Sequence, residues 1–100
     1  MIREFQFKDG QYGFTFLNES SYDNFGRILN FFENNYNPSE KICVSGWHDV
    51  VYEYKLPEIE DNKIRIECAD EIVTIMFTRY SDDKSRRVLQ NIAERIDRNV

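Results

Sequence analysis

NKIRIECADEIVTIMFTRY, residues 62–80, reads as two strands joined by a tight connection at Ala69 and Asp70. Pairing Cys68 with Glu71 sets Ile66 against Val73 and Ile64 against Ile75, so Ile64, Ile66, Cys68, Val73, Ile75 and Phe77 share one wholly apolar face. Lys63, Arg65 and Glu67 alternate with Ile72, Thr74, Met76 and Thr78 on the other, a half-apolar mixture that suits a strand with neighbours on both edges. The second strand is therefore expected at the centre of the sheet. It carries no catalytic motif.

N-terminal to this hairpin the chain punctuates itself clearly. Asp9-Gly10 between Ile2–Lys8 and Gln11–Leu17 predicts a two-residue hairpin turn, which sets Phe7 across from Tyr12, Phe5 across from Phe14 and Arg3 across from Phe16. The resulting aromatic face is expected to pack into the core. The capping residues Asn18–Ser21, with Ser20 three positions before Asp23, lead into Tyr22, Phe25, Ile28, Leu29, Phe32 and Tyr36 at helical spacing, with Phe31 off the stripe. Asn34, Asn35, Asn37 and Pro38 end that helix.

Lys41–Gly46 and Val50–Leu56 then form a hairpin around Trp47-His48-Asp49, for which a three-residue loop is expected because it places Ile42 and Val44 opposite Tyr54 and Tyr52. Beyond the central hairpin, Ser81, Asp82 and Asp83 cap a last helix with Val88, Leu89, Ile92 and Ile96 on one stripe and Arg95 and Arg98 near its end. The expectation is one α+β domain over residues 1–100, of order ββαββββα, in which two amphipathic helices pack on a mainly antiparallel, twisted sheet.

Composition narrows the function. Hydrophobic residues at 41% are enough for a packed core, and no apolar run approaches the roughly 20 residues of a membrane span. MIREFQF lacks the apolar stretch of a signal peptide, so the chain is expected in the cytoplasm, with Cys43 and Cys68 as buried, reduced thiols. The net charge of −5 concentrates between Asp49 and Asp83, where ten carboxylates face four cations. Such a field repels phosphate backbones and attracts basic proteins, although acidic surfaces also serve solubility alone.

Cys43, His48 and Asp49 could be drawn as a nucleophilic site, but a strand cysteine and a turn histidine need not converge, and an enzyme using Cys43 or His48 is kept only as a control reading. No metal-ligand spacing or phosphate-binding glycine motif occurs, so no cofactor or metal is implied. In a meander, successive turns fall at opposite ends of the sheet. Trp47, His48 and Asp49 should then share an end with Asp70 and Glu71, and that end is the first choice for binding a partner because Trp47 offers an aromatic anchor. Glu58, Glu60, Asp61, Asp82 and Asp83 form the second choice at the other end.

In its size, its acidity and the run from Asn62 to Ile96, where an I-x-I strand, an acidic turn, a V-T-I-x-F strand and an amphipathic helix follow one another, the chain resembles the small immunity proteins that bacteria encode beside contact-dependent inhibition and other polymorphic toxins. Some of those families carry an aromatic-histidine pattern after the last strand, where this chain has Tyr80-Ser81-Asp82. The resemblance implies inhibition of a cognate toxin domain, often a nuclease with a basic groove, by tight stoichiometric binding. It carries over no functional residue, since each immunity protein matches its own toxin. The alternative from a different class is a small adaptor or regulatory domain with another protein partner. The oligomeric state is left open.

Overall fold

The computed structural model describes residues 1–6, 10–17, 23–46, 49–59, 61–79 and 81–100. Strands β1 (Ile2–Gln6) and β2 (Tyr12–Phe16) precede helix α1 (Phe25–Tyr36), which is followed by β3 (Glu40–Cys43), β4 (Asp49–Lys55), β5 (Ile64–Ala69), β6 (Ile72–Phe77) and helix α2 (Asp83–Asn99). The order ββαββββα is as expected. All pairings are antiparallel, and the six strands form one sheet ordered β1-β2-β6-β5-β4-β3. β6 is central in the sense anticipated, paired on both edges. It closes the sheet by joining the β3–β6 meander to the N-terminal hairpin.

Alternation decides what each face does. Ile64, Ile66, Cys68, Val73, Ile75 and Phe77 are all buried, together with Tyr12, Phe14, Phe16 and Tyr54, beneath Ile28, Leu29 and Phe32 of α1 and Leu89, Ile92, Ala93 and Ile96 of α2. Both helices thus cover the same side of the sheet. The opposite face is open: Val51 and Met76 are buried there by their neighbours but stand apart from the core cluster, and Ile42, Val44 and Ile72 are exposed.

Three registers differ from expectation. In the central hairpin Ile64 pairs with Phe77, Ile66 with Ile75 and Cys68 with Val73, because the two-residue loop is Asp70-Glu71 rather than Ala69-Asp70. A shift of two residues between partners preserves parity, so the apolar face survives intact. The N-terminal hairpin is different: Phe5 pairs with Gly13, Glu4 with Phe14 and Arg3 with Thr15. Gly10 does have the positive φ (88°) that an Asp-Gly turn demands, but five residues separate the paired Gln6 and Tyr12, which makes the connection odd-numbered and turns Phe5 to the open face. Phe7 and Asp9 lie outside the described residues.

In the third case Ile42 pairs with Glu53 and Cys43 with Tyr52, and Gly46 N donates to Asp49 O at 3.1 Å, so the loop has two residues and not three. Lys41 then faces Tyr54. That exchange is favourable because the Lys41 ammonium sits 4.9 Å from the Tyr52 ring centre and 3.1 Å from Glu33 of α1, whose carboxylate also accepts from the Tyr54 hydroxyl at 2.9 Å. Burial, with that hydrogen bond second, pushes the Tyr54 hydroxyl well above its usual pKa. The same slip leaves Cys43 exposed on an edge strand, against expectation, while Cys68 is buried; both thiols are free.

Helix α1 starts at Phe25 with Asn24 in the cap position and no side-chain cap bond, whereas Ser20 and Tyr22 of the anticipated cap and stripe lie outside the described residues. Its left-handed end falls at Asn37, as the asparagine run suggested. Phe31, the residue off the stripe, packs under Arg95 of α2, which also donates to Tyr36 Oη at 3.1 Å. Asp82 caps α2 by accepting from Ser85 N at 2.8 Å, and that hydrogen bond holds its carboxyl below the ordinary range. No helix among the described residues is long and apolar enough to cross a membrane.

One stability prediction arises from the central turn. Asp70 (φ 50°) and Glu71 (φ 65°) both occupy the left-handed region, as a type I′ turn requires, yet neither is glycine. Glu71→Gly removes the steric penalty of a Cβ there and should stabilise the domain by about 1 kcal/mol, a rise in Tm of about 4–8 °C. Glu71→Ala keeps the Cβ and serves as the control. Thermal melts showing no gain for glycine over alanine would contradict the strained-turn account.

Candidate interaction surface

Pairing of Asp49 with Ala69 brings Asp49 beside the Asp70-Glu71 turn, so three of the five first-choice residues do share one end of the sheet. Asp70 and Glu71 are exposed and Asp49 is half-buried. Trp47 and His48 lie outside the described residues. Strand direction adds what alternation alone did not reveal. β2 ends at this same end, where Phe16 pairs with Val73, and Leu17 N donates to Met1 O. Leu17, Val44 and Ile72 on the open face and Val50 on the helix side, each at least 40% exposed, therefore lie at the end that carries the acidic turn.

At the opposite end the corresponding apolar residues Leu56, Ile59, Ile64 and Phe77 are buried. Glu58, Asp61 and Asp82 there line a hollow of about 500 Å³ with Lys84, whose charge opposes theirs. Asp82 is engaged as the helix cap, Asp83 is the exposed first residue of α2, and Glu60 lies outside the described residues. Asn62, buried beside this hollow, is a structural clamp: its Oδ1 accepts from Lys63 N, Arg79 N and the Thr78 hydroxyl, and its Nδ2 donates to Arg79 O. Sequence reasoning passed over Asn62, although a lone asparagine before an apolar strand is a signal for such a local clamp.

For the control chemistry, Cys43 and Asp49 leave the sheet on opposite faces, because Cys43 pairs with Tyr52 on the helix side and Asp49 with Ala69 on the open side. Cys43 Sγ lies 3.2 Å from Ser45 Oγ. Burial, reinforced by Glu67 and Glu71, raises the pKa of the Cys68 thiol and so suppresses its thiolate. No group of three or more potential metal ligands occurs among the described residues.

The open face itself is electrically ordered. Among the described residues, its side chains, read from the registers, include four cations (Arg3, Lys55, Lys63, Arg65) and four carboxylates (Glu40, Asp49, Glu53, Glu67), which balance on a chain of net charge −5. Arg65 and Glu53 neutralise each other at 2.8 Å in the middle. Asp49 of β4 and Glu67 of β5 lie toward the Asp70 turn, and Lys55 of β4 and Lys63, just before β5, toward the other end. Comparison with known proteins returns no family model, no curated relative and no solved structure that matches.

Proposed function

We propose that this domain binds a basic protein partner in a stoichiometric complex and thereby neutralises it, as the toxin-immunity proteins that its sequence resembles do. The observation that carries this reading is the asymmetry of the sheet: the exposed apolar side chains Leu17, Val44, Val50 and Ile72 gather with Asp49, Asp70 and Glu71 at one end, while the other end buries its apolar residues. Apolar contact rimmed by one sign of charge is the composition of a protein-docking surface, and a groove built to hold nucleic acid supplies the opposite sign. A nuclease toxin domain fits that description.

Co-expression with the C-terminal domain of whatever protein is encoded immediately upstream, scored by growth rescue and co-purification, tests the pairing. Asp70→Lys with Glu71→Lys should slow association by tenfold or so and flatten its salt dependence, because surface carboxylates act mainly through steering that salt screens over about 8 Å. Surface plasmon resonance at two ionic strengths reads this directly. Wild-type association by that double variant, with loss of binding on reversing Glu58 and Asp61, would move the interface to the other end.

A further inference from the structure

We propose that the open face of the sheet is a self-complementary interface on which a second copy of this chain docks face to face, its strands antiparallel to the first. The reasoning starts from the rows across the face. Thr15, Thr74, Glu67 and Val51 occupy one row, Gly13, Met76, Arg65 and Glu53 the next, and the midline of the face runs between them. A two-fold axis lying in the interface and crossing the strands exchanges the two sides of that midline on each strand. Glu67 then meets Arg65 of the second copy, Asp49 meets Lys55, and the exposed Val44 meets the exposed Ile42.

Charge selects this occupant over others. A basic partner seated on this face would have to cover Lys55, which has no ion-pair partner among the described residues, whereas a second copy offers Asp49 in the required place and sets Lys63 against the small Ala69. The size is sufficient. Six strands about 4.8 Å apart and four rows along them present a projected area of about 500 Å² per protomer, so the pair covers on the order of 1,000 Å², where specific interfaces begin. Asp70 and Glu71 stay at the rim, so this inference does not depend on the partner reading; its test turns on Lys55 and Thr74, outside the partner surface, with Asp49 the one tested residue common to both.

Sedimentation velocity and light scattering at about 100 μM, a hundred times a micromolar Kd, should show a wild-type dimer. Lys55→Glu sets a carboxylate against Asp49 of the second copy at both ends of the interface, and Asp49→Lys sets a cation against Lys55 there. Each protein alone should lose self-association by at least about a hundredfold, and their equimolar mixture should recover a one-to-one heterodimer. Circular dichroism verifies the fold of each, and Thr74→Arg, at the half-buried centre of the face, is an independent variant that should be monomeric. A wild-type chain that stays monomeric at this concentration overturns the proposal, as do reversed proteins that dimerise like wild type or a mixture that fails to associate.

Discussion

Ile75→Asp should abolish the cooperative folding transition. Ile75 is fully buried on the central strand, paired with Ile66 on one side and Phe14 on the other, so its replacement strips one of the best-packed points under both helices. Losing the apolar burial costs about 1.5–3 kcal/mol, and an unpaired carboxylate in the same place costs several more unless it takes up a proton. A domain of this size has about 5–15 kcal/mol in total, so the variant lies at or below the threshold of folding. Thr74→Lys, one residue away, projects from the open face beside Glu67 and, at protein concentrations below about a micromolar where self-association adds nothing, should melt much as wild type does. Near-identical urea transitions for the two variants would mean that the sheet does not divide its faces as described.

Those two substitutions also mark what could be read in advance. Period-two alternation in residues 62–80 assigns each side chain to the face it occupies in the structure, although every partner in that hairpin is displaced by two residues. Faces depend on parity alone; partners depend on the loop. Where loop length was inferred from turn chemistry, as at Asp9-Gly10, or from matching apolar residues, as with Ile42 and Tyr54, the true pairing differed by one and carried Phe5 and Ile42 to the open side. At β3 an ion pair and a cation over an aromatic ring outweighed apolar matching, which no pattern within a single strand records. The gathering of Asp49 with Asp70 and Glu71 was legible because turn order fixes the end of the sheet. The division of charge along the open face was not, since it exists only once cross-strand rows are known.

Gly13 is the clearest consequence of those rows, and its replacement by alanine should destabilise the domain by at least about 2–3 kcal/mol, lowering Tm by about 10–20 °C. A Cβ at this position would lie 2.5 Å from the carbonyl oxygen of Ile75 and 2.5 Å from Cβ of Met76. Neither obstacle is the tip of a flexible side chain. Relief requires β2 to move away from β6, and the β2–β6 ladder is the pairing that ties the N-terminal hairpin to the meander. The same substitution at Gly26 provides the contrast, because nothing lies within 4 Å of a Cβ there and alanine favours the helix; Gly26→Ala should stabilise by about 0.4–1 kcal/mol through the unfolded chain. Urea denaturation of the two variants thus predicts shifts of opposite sign from one chemical change. If Gly13→Ala unfolds at the wild-type urea concentration, β2 and β6 are not in the close register that joins the two halves of the sheet.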